Sequence, residues 1–251
     1  IGALLDALAM QGAQADSRSF PFTLRTAGLP GGPVALDASE SSQMLSALLM
    51  VAPHARTPLT VNLTSEAGSK PFVVMTEAMV KQFTPAPAVY AIEGDASAAS
   101  YYLALPLVVG GHVEIHGLHT FNSLQGDVRF VDVLKKVGLA TAGLDHPHLG
   151  EEAWIAHGAP RHGVDECFRQ FSDTFLTLAA IAPLLDGPTR ISGIAHTRKQ
   201  ETDRVAGMAR ELRKLGQHVI EQEDSLEIHP RPLVSGVEIE TYHDHRFAMS
   251  F

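Results

Sequence analysis

Two kinds of hydrophobic pattern alternate along this chain, and the same succession of them recurs. Four segments open with Asp and small polar residues and continue as long apolar runs: LDASESSQMLSALLMVAP (36–53), EGDASAASYYLALPLVVGG (93–111), FSDTFLTLAAIAPLLDG (171–187) and YHDHRFAMSF (242–251). Such a run behind a polar start predicts a helix capped by its own Asp or Ser. After each of the first three comes a short alternating stretch, LTVNLT (59–64), VEIHGL (113–118) and TRISGI (189–194). These read as strands, with Gly or Pro at the joints. A second, amphipathic helix then follows in each unit: FVVMTEAMVKQF (72–83), VRFVDVLKKVG (128–138) and RVAGMARELRKLG (204–216). In the last, Val205, Met208, Leu212 and Leu215 make one apolar stripe. Gly138 and Gly216 stand where a helix-ending glycine belongs. The opening IGALLDALAMQGA reads as the second helix of a preceding unit.

The succession predicts an α/β architecture of repeated helix-strand-helix-strand units. The segment Thr84-Pro-Ala-Pro-Ala-Val89 is the candidate linker, with one piece of the protein on each side. Asp, Ser and Thr at helix starts serve as caps without any ligand. Several such starts presented together would also form an anion-binding surface of N–H groups and helix dipoles.

Composition narrows the function classes. With 45% hydrophobic and 19% charged residues, the 251-residue chain is an ordinary globular sequence rather than a disordered one. No apolar run reaches the roughly 20 residues of a membrane helix; the longest candidate, Tyr101 to Gly110, is interrupted by Pro106. A net charge of −9 without a basic patch argues against nucleic acid. It leaves anionic substrates open, because local Arg and Lys can dominate a cleft. The single cysteine, Cys167, allows no internal disulfide and fits a reducing compartment such as the cytoplasm. Cys167 itself reads as a small buried residue rather than a nucleophile. His146, His148, His157 and His162 match no metal-ligand spacing, so no metal site is expected. The chain opens at Ile1 without Met and closes at Phe251 inside an apolar run, and both ends read as cuts.

Six strings are specific enough to carry a resemblance. ASESSQ (38–43), SKPF (69–72), EGDASAASYYLA (93–104), NSLQGD (122–127), RKQETDR (198–204) and DHRFAM (244–249) resemble, in order, motifs of the EPSP synthase family of enolpyruvyl transferases. The resemblance spans essentially the whole chain. It implies two globular domains, each of three βαβαββ units, that close on the substrates. Residues 1–88 would be the remainder of the first domain and residues 89–251 most of the second. The implied reaction moves the enolpyruvyl group of phosphoenolpyruvate onto the 5-hydroxyl of shikimate 3-phosphate and releases phosphate. No cofactor or metal is implied, and the intact enzyme would be a cytoplasmic monomer.

Site residues follow from the same resemblance. Ser41, Ser42 and Ser69 would hold the substrate phosphate and Gln43 would lie between both substrates, although capping alone also accounts for hydroxyls at a helix start. Asp173 would contact the 5-hydroxyl and take its proton; as a bare residue it reads as an N-cap. Glu201 would move protons at the enolpyruvyl methylene; as a bare residue it belongs to a helix start, with Thr202 or Asp203 as cap. Arg204 and Arg246 would bind phosphoenolpyruvate, since a guanidinium grips carboxylate or phosphate with paired hydrogen bonds. His196 and Gln200 would line the shikimate side.

Departures from the family pattern are few. Phe72 stands for Tyr, Ser172 for Pro, His196 for Asn and Gln200 for Lys; Lys199 or Arg198 are candidates to replace that lost cation. Glu40 would put a negative charge beside a phosphate site. The family's Lys- and Arg-bearing first strand, its Gly-Asn-Ala-Gly loop and a last catalytic Lys would lie outside this chain, which alone is expected to be inactive. The segment from Gln82 to Glu93 is about twenty residues shorter than the pattern implies. The alternatives are the related transferase acting on a UDP-sugar, which the QETDR and DHRFAM strings disfavour, and a non-catalytic fragment or binding module.

Overall fold

The computed structural model describes residues 1–39, 41–65, 70–87, 89–118, 123–142, 151–154 (backbone only) and 159–251. Glu40, Ser69, His146, His148 and His157 lie outside the described residues. The chain divides into two compact units, Ile1–Ala91 and Ile92–Phe251.

The first unit runs α1 (Gly2–Met10), β1 (Gln14–Ala15), β2 (Leu24–Arg25), β3 (Gly32–Leu36), α2 (Gln43–Val51), β4 (Leu59–Leu63) and α3 (Lys70–Gln82). β3 and β4 pair in parallel, with Val34 opposite Val61, so α2 is the crossover that parallel strands require. Ala7, Val34, Leu36, Leu45 and Leu48 close a small core beneath the helices.

The second unit runs α4 (Ala96–Val109), β5 (His112–Ile115), α5 (Phe130–Val137), β6 (Ala140–Ala142), β7 (Glu151–Trp154), β8 (Asp165–Cys167), α6 (Phe175–Ile181), β9 (Thr189–Ser192), α7 (Arg204–Lys214), β10 (His218–Glu221), β11 (Ser225–His229) and α8 (His245–Ser250). Its strands form two sheets, ordered β5-β7-β6 and β10-β11-β9-β8. Residues 165–229 thus make one full βαβαββ unit: β8 and β9 are parallel around α6, and the rest is antiparallel. The stretch from α4 to β7 repeats the αβαββ part of it. The α/β repeat read from the hydrophobic pattern is present in the fold.

α6 is buried on nearly every side, through Phe175, Leu176, Leu178, Ala179 and Ile181, which is why its sequence shows an apolar run rather than a stripe. α7 instead buries one face, with Val205, Met208 and Leu212 fully enclosed. α4 does not stop at Pro106 but continues three residues past it to Val109. Proline removes the bond to the Tyr102 carbonyl one turn back and crowds that carbonyl, and the helix continues past both. Among the described residues no helix is long and apolar enough to cross a membrane. Cys167 is exposed, contrary to the sequence reading, because β8 is an edge strand and the chain alternates faces there, with Phe168 turned into the core.

Candidate functional site

In the second unit the chain places its charged motifs at the ends of β8 and β9 and at the start of α8. Asp173 lies on the single helical turn Ser172–Thr174 that leads from β8 into α6. Arg204 is the first residue of α7, which follows β9, and Arg246 sits in the first turn of α8. Asp173 caps neither helix. Its carboxylate accepts from two guanidiniums instead, Oδ1 from Arg204 Nη1 at 3.0 Å and Oδ2 from Arg246 Nη2 at 2.9 Å.

Arg204 is 1% exposed and is the largest fully buried side chain described. All three of its nitrogens are engaged. Nε and Nη2 donate to the Asp244 carboxylate at 2.7 and 3.3 Å, and Nη1 also donates to Gln200 Oε1 at 2.6 Å. Nη2 pairs with Glu201 Oε2 at 2.7 Å. Asp173, Glu201, Arg204 and Arg246 therefore belong to one connected cluster. Glu201 precedes α7 rather than opening it, and Asp203 is the cap, accepting from the Ala206 N–H at 2.9 Å. Gln200 accepts from Arg204, a role that lysine, with donors only, cannot fill. Arg198 does not supply a cation here, because Asp203, Glu221 and the carbonyls of Gln222 and Glu223 hold it.

Three members of the site carried no role in the sequence reading. Asp244 opens DHRFAM and caps α8 by accepting from the Arg246 N–H at 2.8 Å, while its oxygens also hold Arg204. Burial would push its carboxyl up, but Arg204, then the Arg246 N–H, hold it below the ordinary carboxylate value. Tyr101, on α4, receives Arg246 Nη1 at 3.4 Å, and burial pushes its phenol up. Asp127 is 6% exposed; Oδ2 accepts from Ser97 Oγ at 2.9 Å, and buried Oδ1 has no partner among the described residues. Burial, followed by repulsion from Asp173, pushes the Asp127 carboxyl up to about 6. Asp244 was findable as a helix-cap position; Asp127 and Tyr101 show no signal apart from their motifs.

Two of the departures from the family pattern meet each other. His196 Nε2 and Ser172 Oγ share a hydrogen bond of 2.9 Å beside Asp173. Burial lowers the His196 pKa, against the pull of Asp173 and Asp224. The EGDASA and SLQGD strings are also tied together. Gln125 donates to the Gly94 carbonyl at 2.7 Å and accepts the Ala96 N–H at 2.9 Å, and Asp95 caps α4 by accepting from Ser97 and Ala98.

In the first unit, Ser41, Ser42 and Gln43 form the start of α2. Ser41 Oγ accepts the Gln43 N–H at 3.2 Å, Ser42 is buried at the cap position, and the Gln43 side chain is exposed. At the end of β3, the Ser65 hydroxyl and the Ser39 N–H hold the Asp37 carboxyl down to about 2. Phe72, in the first turn of α3, exposes its ring.

Solved structures share this architecture. EPSP synthase from Acinetobacter baumannii matches with a TM-score of 0.71 at 21% identity, over 99% of this chain and 62% of that one. The enolpyruvyl transferase NikO from Streptomyces tendae matches with 0.64 at 15% identity, over 91% and 58%. The fold is thus that of enolpyruvyl transferases. The family model described as EPSP synthase (3-phosphoshikimate 1-carboxyvinyltransferase) matches residues 1–86 and 84–251, and the chain belongs to that family. A 3-phosphoshikimate 1-carboxyvinyltransferase from Opitutus terrae is 51% identical over 99% of this chain, and one from Shewanella sp. (strain ANA-3) is 40% identical over all of it. The chain spans 59% and 63% of the length of these two relatives. The alignment with the Opitutus protein covers 272 positions against 251 residues, so the relative carries extra residues within the span. The two family-model matches meet at residues 84–86, in the Pro-rich segment.

Proposed function

We propose that the full-length protein carrying this chain transfers the enolpyruvyl group of phosphoenolpyruvate to the 5-hydroxyl of shikimate 3-phosphate and releases phosphate. The observation that carries the reading is the carboxylate of Asp173 held between Arg204 and Arg246. Two shielded guanidiniums set for a carboxylate suit a substrate that bears both carboxylate and phosphate. When phosphoenolpyruvate takes those donors, Asp173 loses its partners and becomes a free base beside the entering hydroxyl. Addition at C2 requires a proton at C3 of phosphoenolpyruvate. Loss of phosphate then requires a proton to leave the resulting methyl group. Glu201, half-exposed and paired with Arg204 across 2.7 Å, is assigned to that second site of proton movement.

The remaining assignments rest on family membership together with side-chain chemistry. Ser41, Ser42, Gln43 and Ser69 hold the phosphate of shikimate 3-phosphate, using hydroxyls and helix N–H groups. His196 and Gln200 face the shikimate side. Residues 1–88 and 89–251 correspond to parts of the two enolpyruvyl transferase domains. A single cysteine fits a cytoplasmic protein, and the reading implies no cofactor.

The test is phosphate release by the full-length protein with phosphoenolpyruvate and either shikimate 3-phosphate or a UDP-sugar as acceptor. Release with shikimate 3-phosphate alone supports the reading. Release only with the UDP-sugar assigns the related activity, and no release with either leaves a binding module.

A further inference from the structure

The segment that delivers Asp244 and Arg246 is bent into an unfavourable backbone. Tyr242 and His243 both have positive φ, 54° and 55°, and neither is glycine. A Cβ-bearing residue in the left-handed region is strained, and two in a row persist only where their surroundings hold them. The holding group is Glu211, on α7, whose side chain is 0% exposed. Its Oε1 accepts the Tyr242 hydroxyl at 2.5 Å, and its Oε2 accepts the Glu240 N–H at 3.0 Å and Lys214 Nζ at 2.7 Å. From the other side, Arg210 donates to the Tyr242 oxygen at 2.9 Å with its guanidinium over the ring, 5.4 Å from the centroid. The Tyr242 ring also meets Phe247 of α8 edge-on, with centroids 5.1 Å apart.

Glu211 lies seven residues after Arg204, two turns along the same face of α7. One helix therefore grips one loop at two points: Glu211 holds residues 240–242, and Arg204 holds Asp244. Arg246 leaves from that loop with its backbone N–H bonded to Asp244. Among the described residues Glu211 bonds to Lys214, Glu240 and Tyr242 and not to Asp173 or Arg246, so its influence on the site passes through the loop. We propose that Glu211 and the Tyr242 hydroxyl are positioning residues, which fix the strained 240–244 loop so that Arg246 presents its guanidinium to phosphoenolpyruvate. This rests on the reading of Arg246 as a phosphoenolpyruvate ligand.

A staple that served stability alone would behave differently. Breaking a buried charge pair costs stability wherever it sits, so a staple of that kind would lower Tm and leave the phosphoenolpyruvate KM alone. A misplacement of about 1 Å at a substrate-orienting group, by contrast, costs up to about 100-fold in rate.

The experiment uses the full-length protein with Tyr242→Phe, Glu211→Gln, Arg246→Ala and the double variant Tyr242→Phe/Arg246→Ala. Tyr242→Phe and Glu211→Gln should each raise the phosphoenolpyruvate KM about tenfold, with the shikimate 3-phosphate KM changed less than about twofold. In the Arg246→Ala background, Tyr242→Phe should add nothing. A lowered Tm with an unchanged phosphoenolpyruvate KM, or full additivity with Arg246→Ala, overturns the proposal. Should Glu211→Gln fail to fold, Tyr242→Phe, which removes one oxygen, decides alone. If Arg246→Ala leaves that KM unchanged, the ligand reading fails instead. The positioning claim is then judged by the Arg246 Nε–H resonance, assigned by its loss in Arg246→Lys: a shift in Tyr242→Phe upholds positioning, and no shift overturns it.

Discussion

Arg204 and Asp244 meet in a two-point ion pair, 2.7 and 3.3 Å, in which both side chains are closed off from solvent. Removing one partner of such a pair strands the other charge, a loss of about 3–5 kcal/mol. Asp173 and Glu201 remain on the guanidinium here. Asp244→Asn is therefore expected to cost less, about 2–3 kcal/mol, read from urea denaturation at neutral pH. Because Arg204 and the Arg246 N–H hold the Asp244 carboxyl below its ordinary value, the pair stabilises the fold above the unfolded pKa, near 4. That contribution is lost as pH falls through the still lower folded value. A wild-type and Asp244→Asn difference that stays constant down to pH 2 would contradict this.

Asp127 has the opposite sign. Burial, then Asp173, raises its carboxyl to about 6, so the folded state resists its ionisation. The cost is absent below pH 4, grows between about 4 and 6, and is constant above. About two pKa units correspond to roughly 3 kcal/mol. Asp127→Asn should keep the acceptor for Ser97 and stabilise the protein at pH 7.5 by a sizeable part of that, with no gain at pH 4. Equal stability of the two proteins at pH 7.5 would show that Asp127 is not strained by burial.

The order of elements was legible because helix and strand periods differ and each unit restates the pattern. α2, α4, α6 and α7 fall where the apolar runs and caps placed them. Ion-pair geometry was not legible. Asp173 and Arg246 are 73 residues apart, and no local rule tells an N-cap aspartate from one that faces two arginines. Local reading also misjudged Cys167, where edge position decides exposure.

Ser172 and His196 depart together from the family pattern, and their 2.9 Å hydrogen bond makes them one feature. A half-buried neutral bond contributes about 0.5–1.5 kcal/mol. In a denaturation cycle of Ser172→Ala, His196→Asn and the double variant, the coupling should lie in that range. Strict additivity within about 0.3 kcal/mol would mean that the contact carries no energy.

Gly207 faces inward from α7, and a Cβ there would lie 2.6 Å from Phe247 Cζ and 3.3 Å from Tyr242 Cε2. Replacing a helix glycine with alanine ordinarily stabilises by about 1 kcal/mol. Here Phe247 is fully enclosed and cannot swing away, so overpacking of about 1–3 kcal/mol should win. Gly207→Ala is expected to lower Tm and weaken the seat of α8. A raised Tm would mean that α8 moves aside without cost.

Asp173 occupies the two guanidiniums that an anionic substrate would use, so it should act against substrate binding while serving the chemistry. Under the proposed function, Asp173→Ala removes the internal competitor and the proton acceptor together. Its kcat in the full-length protein should fall by about 10²–10⁴-fold, the scale of a lost general base. Its phosphoenolpyruvate Kd, measured by calorimetry, should be unchanged or tighter, because Arg204 and Arg246 no longer exchange one carboxylate for another. Arg204 still has Asp244 as a buried counter-ion, so the variant should fold. Two results are incompatible with this account. A kcat within threefold of wild type removes Asp173 from the chemistry. Loss of phosphoenolpyruvate binding with intact folding would mean that Asp173 holds the arginines in place rather than competing for them.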